Sequence, residues 1–276
     1  MEGLLSKTGK LSIVNQAEYS GGVFGYDEGS TIIEDKGHTY VLKGDSEQIE
    51  SSNTKCSLGG FAGYLKNSQF KQSSESYTYG SKDFAIDISC SKRINISATA
   101  TGAESQSVSG GIGTYYTNKK IESNIIRASV YSIQFNVAST QCEAYSGVMI
   151  GQILEDEANT SGITIDGCGS EELVAGNNLT KECFGGIVGF NQGKNVIIKN
   201  SYVHLSGQNA NSVSIINSCR VAGGYIGKNI GNVTIKNCTV QLNRKGFKTV
   251  KPVVFGCVVG QIGTEDKTAT VIVDGF

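Results

Sequence analysis

The sequence predicts an all-β chain wound as a single-stranded parallel β-helix, a β-solenoid. Three observations predict it: a glycine that recurs at a fixed interval, a short strand that ends each time in Gly or Asn, and a glycine-rich, proline-poor composition. The recurring glycine closes a short apolar run. It is Gly25 in GGVFG, Gly63 in GGFAG, Gly113 in GGIG, Gly151 in GVMIG, Gly189 in GGIVG, Gly227 in GGYIG and Gly260 in GCVVG, at successive intervals of 38, 50, 38, 38, 38 and 33 residues. A fixed period of about 20 to 50 residues marks solenoids and propellers. The long interval reads as one repeat carrying an irregular insertion, within residues 65–110.

The second landmark follows the glycine. Ile163-Thr-Ile-Asp-Gly167 aligns with Val196-Ile-Ile-Lys-Asn200, with Val233-Thr-Ile-Lys-Asn237 and with Val271-Ile-Val-Asp-Gly275. Gly and Asn are the residues that most readily enter the left-handed α region, so Gly167, Asn200, Asn237 and Gly275 are expected at turns with positive φ. A further match, Val213-Ser-Ile-Ile-Asn217, lies inside one 38-residue unit and adds Asn217 to the turn positions. Its place divides each unit into two rungs of about 19 residues. Fourteen or so such rungs, at roughly 4.8 Å each, predict a rod about 65 Å long. Its hand is taken as right, the general rule for crossovers between parallel strands.

The uninterrupted repeat makes residues 1–276 a single domain. Thirty-six glycines against one proline, Pro252, suit a solenoid, since glycine permits tight corners and proline would remove a ladder hydrogen bond. A net charge of −1 gives no electrostatic reason to expect nucleic acid or an anionic membrane as partner. No apolar run approaches the roughly 18 residues that span a bilayer. No signal peptide is legible at the N-terminus, so the localisation expected is cytoplasmic for a complete chain and extracellular or cell-surface for a piece of an exported protein. Gly260 is followed by only part of a unit, and no capping helix is legible. The chain is therefore expected to be a segment of something longer or to meet another copy or domain end to end.

Period-two alternation marks further strands, as in Ile94-Asn-Ile-Ser and Val130-Tyr-Ser-Ile-Gln-Phe-Asn-Val. Cys56, Cys142, Cys183 and Cys219 each precede a repeating glycine, and Cys168 and Cys238 share one aligned position with Ser201. This placement suits buried thiols stacked in ladders better than disulfides or a metal site. His38 and His204 read as surface residues.

The search for chemistry yields few candidates. Glu155, Asp156 and Glu157 form an acidic corner of the kind that could offer carboxylate oxygens to Ca²⁺. The GGxGxD pattern of calcium-binding rolls is missing, so solvated corners are the plainer reading, and no cofactor is called for. Tyr77, Tyr79, Tyr115 and Tyr116 are candidates for an outward aromatic binding patch, with stacking inside the fold as the plainer alternative. A polysaccharide lyase or hydrolase would need paired carboxylates about 5 to 10 Å apart, and no such motif is legible. No GxSxG nucleophile motif occurs, and glycine runs without a following helix do not make a dinucleotide site. Ice binding would need regular TxT ladders, whereas only Thr99-Ala-Thr101 and Thr268-Ala-Thr270 match. Asn95, Asn159, Asn178, Asn232 and Asn237 are each followed by x-Ser/Thr, the acceptor pattern for N-glycosylation.

The strings GGIVGFNQGKNVIIKNS and GGYIGKNIGNVTIKNC resemble the glycine-rich GLUG-type repeat, and the resemblance covers most of the chain, most clearly from Ser146 to Cys238. Repeats of that family occur in large microbial surface and adhesin-like proteins, some beside immunoglobulin A peptidase domains. The resemblance implies a β-solenoid and a surface, spacer or adhesive role, with protein or glycan contact and no catalytic residue. The function expected is therefore a non-enzymatic structural or adhesive segment, with a polysaccharide-active enzyme and an ice-binding solenoid as the alternatives.

Overall fold

The computed structural model describes residues 12–275 except 35–39, 45–46, 73–85, 91–93, 103, 127, 157–160, 176–180, 205–214, 217–218 and 242–253. Among the described residues every regular element is a strand, and apart from one isolated antiparallel bridge, Thr264 with Lys267, the neighbours in each sheet run parallel. The chain is a parallel β-solenoid. Each pass lays one strand in sheet 1 (Tyr19–Gly21 in the first coil), turns a two-residue corner, and lays the next in sheet 2 (Phe24–Glu28). Sheets 1 and 2 each hold seven strands, one per coil. The chain then enters sheet 3, five strands from Glu122–Ile126 to Thr270–Asp274, or, in the first two coils, the two-stranded pair Thr31–Glu34 and Gln69–Gln72. It returns through sheet 4, which has ten strands.

The register corrects the expected subdivision of the repeat. Gly147 lies beside Gly185, and Gly185 beside Gly223, so hydrogen-bonded neighbours are a whole 38-residue unit apart. One unit is one coil, and each unit does not contain two rungs. Seven coils at roughly 4.8 Å make a stack only about 30 Å from first strand to last. The misleading match was Val213 to Asn217. Its Ile215–Ile216 pairs with Val174–Ala175 in sheet 4, whereas Val196 pairs with Val233 in sheet 3. A β-branched run followed by Asn describes any strand leaving for a turn, so it recurs on two faces of one coil. Asn217 itself lies outside the described residues.

The insertion is more regular than expected. Gln69–Gln72, Ile86–Cys90, Ile94–Ala98 and Ser105–Ser109 all take places in the sheets. Thr31 pairs with Gln69, 38 positions on, and Tyr40 with Ile86, 46 positions on, so most of the extra length falls between Gln72 and Ile86. Residues 124–130 are strand wherever they are described.

The core is a set of ladders of identical inward positions. Ile49, Ile96 and Phe135 stack in sheet 4, and Ile165, Ile198 and Ile235 in sheet 3, each fully buried. The corner between sheets 1 and 2 sends Phe61, Met149, Ile187 and Tyr225 into the core, while their backbones continue the ladder: Met149 N–H donates to Ile187 O and Ile187 N–H to Tyr225 O, at 3.0 and 2.9 Å.

The turn expectations hold at four positions. Gly167, Asn200, Asn237 and Gly275 have φ of 67°, 49°, 48° and 69°. Asn67, with φ 54°, is a left-handed asparagine at a different corner that the motif did not reveal. The repeating glycines are required for another reason. None of Gly63, Gly113, Gly151, Gly189 or Gly227 has a positive φ, but a Cβ on Gly189 would lie 2.5 Å from Gly151 O and 2.7 Å from Ser146 O. Sheets 1 and 2 approach backbone to backbone there.

Cys168, Ser201 and Cys238 form the expected buried ladder, with Cys168 N–H donating to Ser201 Oγ at 3.2 Å. The other cysteines do not share one position: Cys56 stacks on Gln106, and Cys183 lies between Tyr145 and Val221. Cys56, Cys142, Cys168, Cys183, Cys219, Cys238 and Cys257 are all free thiols.

Candidate functional site

The outward positions of sheets 1 and 2 meet in a seam that runs the length of the stack. On sheet 2 the row is Tyr26, Tyr64, Thr114, Gln152, Phe190, Lys228 and Gln261. On sheet 1 it is Tyr19, Ser57, Ser107, Tyr145, Cys183, Val221 and Val254. The contacts are staggered, because the sheet 1 residue of one coil touches the sheet 2 residue of the next. Tyr19 of coil 1 packs on Tyr64 of coil 2, with ring centroids 4.7 Å apart. Ser57 of coil 2 meets Thr114 of coil 3 at 2.7 Å between hydroxyls. Tyr145 of coil 4 stacks on Phe190 of coil 5 at 4.6 Å and 21°.

The character of the seam changes along the axis. Over coils 1 to 3 it is aromatic: Tyr26 and Tyr64 are stacked at 5.6 Å and 12°, Tyr19 lies 5.5 Å from Tyr26, and Tyr116 adjoins Tyr64 at 6.4 Å. Carboxylates hold two of the phenols. Tyr26 Oη donates to Glu28 Oε2 at 2.7 Å and Tyr19 Oη to Glu18 Oε1 at 2.6 Å, while Lys66 pairs with Glu28 at 2.9 Å. Burial pushes the Tyr64 phenol up to about 12, and the bond to Glu28 raises that of Tyr26. The Tyr64 and Tyr26 rings therefore stay neutral at physiological pH. Tyr26 is 47% exposed, and Tyr19, Tyr64 and Tyr116 are partly exposed.

The middle of the seam is a buried hydroxyl chain with one direction. Ser57 Oγ donates to Gly63 O at 2.7 Å, which leaves the Thr114 hydroxyl to donate to Ser57; Gln152 Nε2 in turn donates to Thr114 at 2.9 Å. Beyond it lies an ion cluster. Glu143, at the entry to the sheet 1 strand of coil 4, accepts from Lys228 Nζ at 2.6 Å, from Arg220 and from Tyr145 Oη at 3.1 Å. Burial opposes the Glu143 charge, but Lys228 and Arg220 outweigh it and hold the carboxyl below the usual range.

A second polar ladder occupies the corner between sheets 2 and 3. Asn191 Nδ2 donates to Asn229 Oδ1 at 2.7 Å, Gly193 N–H donates to Asn191 Oδ1 at 3.0 Å, and both asparagines are fully buried. These are the asparagines of the strings FNQG and KNIG, so the repeat itself carried the signal.

The sequence candidates fall out as follows. Glu155 is 2% exposed and its two carboxylate oxygens accept from the backbone N–H groups of Ser161 and Lys194. It caps a turn and is not a solvated corner, and its oxygens are already engaged. Asp156 is exposed, and Glu157 lies outside the described residues. Among the described residues no group of three His, Cys, Asp or Glu is placed to hold a metal ion. Tyr115 does not belong to an outward patch: it is fully buried and donates to Ser68 O. Tyr116, its neighbour, is in the aromatic seam. Tyr77 and Tyr79 lie outside the described residues, as do His38, Asn159 and Asn178. Sequence reasoning missed Tyr19, Tyr26 and Tyr64, although each sits at a fixed distance from a repeating glycine. His204 is partly exposed on sheet 4 and packs on Tyr202 at 4.7 Å. The two TxT pairs share no plane, since Thr270 opens a sheet 3 strand and Thr99 follows a sheet 4 strand.

Fold and seam together define a class, a parallel β-solenoid with one staggered side-chain seam. Comparison with protein-family models, with curated proteins and with solved structures returned no match. No helix among the described residues is long and apolar enough to cross a membrane.

Proposed function

We propose that this chain is a non-enzymatic contact and spacer segment, presenting the tyrosine end of its seam to a protein or glycan ligand. This is the role that the resemblance to GLUG-type repeats of microbial surface proteins implies. The observation that carries it is the cluster of Tyr19, Tyr26, Tyr64 and Tyr116, partly exposed and fixed by stacking and by Glu18 and Glu28. Tyrosine supplies contact area at low entropic cost, and rings already immobilised lose still less on binding. The buried acidic groups among the described residues favour the same reading, because intrachain donors occupy them: backbone amides hold Glu155, Ser146 meets Glu182, and Lys199 and Asn200 meet Asp166.

The test is binding of the purified chain to glycan and protein-ligand panels, compared with a Tyr26→Ser, Tyr64→Ser variant. A bound ligand whose affinity falls roughly tenfold or more in the variant supports the proposal, since interface tyrosines commonly contribute at this level. Binding that the substitutions leave unchanged removes the tyrosine surface, and binding to nothing on the panels leaves a spacer without a contact role.

A further inference from the structure

The ion cluster of the seam holds one positive charge in excess. Glu143 faces two cations, Lys228 Nζ at 2.6 Å and Arg220 Nη1, and one carboxylate neutralises one of them. Lys228 is the better placed to be that one, since its side chain is 10% exposed against 37% for Arg220. The other acid of this part of sheet 1, Glu182, is fully buried and accepts from Ser146. Arg220 meets Glu143 through Nη1, and no other partner of its guanidinium is found among the described residues. Its Nε–Nη2 edge is left to solvent, a planar pair of donors that matches a carboxylate. Arg220 is the last of a series. Tyr64, Tyr116, Tyr145 and Arg220, all partly exposed, follow one another along the seam in coils 2, 3, 4 and 6. Each has a coil on either side, so each is exposed on the flank of the stack. Coil 2 and coil 6 are about 20 Å apart along the axis, and a ligand that touches both is extended.

We infer that the ligand of the tyrosine surface is a linear acidic glycan, laid along the seam with a uronate carboxylate on the Nε–Nη2 edge of Arg220. This rests on the reading of the tyrosines as a ligand surface and adds the class of ligand. The tyrosines and the sheet edges choose a glycan over an acidic peptide. Pyranose rings present flat C–H faces, which pack on the rigid, amphipathic rings of Tyr64, Tyr116 and Tyr145. An extended peptide on a β-structure gains its affinity from main-chain bonds to a free sheet edge. In coils 2 to 6 every strand of sheets 1 and 2 is already paired on both sides, so this flank has no edge to give. Charge chooses an acidic glycan over a neutral one, because a carboxylate on Arg220 completes the neutralisation that Glu143 leaves half done. The carboxylates of the tyrosine cluster do not oppose it: Glu18 and Glu28 belong to coil 1, on the far side of Tyr64 from Arg220, and Lys66 pairs with Glu28.

The experiment is calorimetric titration of the 276-residue chain with oligogalacturonate and oligomannuronate, and with the same oligomers as methyl esters, which keep the rings and remove the charge. The parent chain should bind an acid about tenfold or more tighter than its ester. Arg220→Gln should abolish that preference and leave the affinity for the ester unchanged. Arg220→Lys keeps the charge without the fork and should retain only part of the preference. Tyr64→Ser should weaken acid and ester alike, and circular dichroism checks that each variant folds. Equal affinity for acid and ester, a preference that survives Arg220→Gln, binding of poly-glutamate in place of the uronates, or binding of neither acid overturns the inference. The tyrosine reading fails separately: acid binding that Tyr64→Ser leaves unchanged removes the tyrosines from the site, whereas ester binding that Tyr64→Ser weakens keeps them there even if the charge preference is absent.

Discussion

At Asn200 the backbone φ is 49° and the side-chain amide donates to Asp166 Oδ1 at 2.8 Å. Asparagine tolerates that conformation and a β-branched residue does not, so Asn200→Val should destabilise by about 1–2 kcal/mol in chemical denaturation, with Asn200→Gly costing clearly less. At Gly189 the constraint is space. A Cβ would meet two backbone oxygens that cannot move without parting the sheets, so Gly189→Ala should cost about 3 kcal/mol or more. A loss below about 1 kcal/mol would mean that the sheets are not in backbone contact. These two residues show what a sequence can and cannot disclose. The Gly/Asn alternation was legible because only that pair shares the left-handed region. The repeating glycine was legible as a ruler, but its cause was not, because close approach between segments many residues apart leaves no local mark. The thiols follow the same logic: burial pushes those of Cys56 and Cys183 up to about 12, whereas Cys257 is exposed. Thiol labelling read by peptide mass spectrometry should find Cys257 modified well before Cys56 or Cys183 in the folded chain.

At the scale of elements, the seam joins coils that the backbone ladder already joins, and does so over longer steps. Glu143 reaches from coil 4 to Arg220 and Lys228 of coil 6, so its ion pairs clamp the coil between. Its carboxyl is held below the usual range, and the sign of its pH dependence follows. The contribution is fully present above the unfolded carboxyl value near 4.3 and is lost as pH falls through the lower folded value. Glu143→Gln should cost about 1–2 kcal/mol near pH 7, since the charged partners are only part-buried and screened, and the difference from the parent should shrink as pH falls below about 4. A difference independent of pH would assign the loss to packing alone. The seam was mostly illegible in the sequence. Tyr26, Tyr64 and Lys228 each directly follow a repeating glycine, but Tyr64 packs on Tyr19 of the coil before and Lys228 pairs with Glu143 two coils before, and only the register brings those residues together. Tyr115 and Tyr116 show the same limit, since adjacent tyrosines in one strand point to opposite sides and nothing local says which is outward.

For the whole molecule, the period of 38 was legible and its meaning was not. A strand that ends in a turn has one signature wherever it lies, so Val213 to Asn217 imitated the sheet 3 strand while Ile215–Ile216 paired in sheet 4. One coil per 38 residues halves the expected length and doubles the circumference, which makes room for four sheets and for the seam between two of them. Positions 26 and 261 lie in one outward row of sheet 2, six coils apart. Spin labels on non-natural residues at these positions, in a sample diluted with unlabelled chain, should give a distance of about 30 Å by pulsed electron resonance. A distance near 60 Å, the span of twice as many rungs, would contradict the assignment of one coil to each repeat.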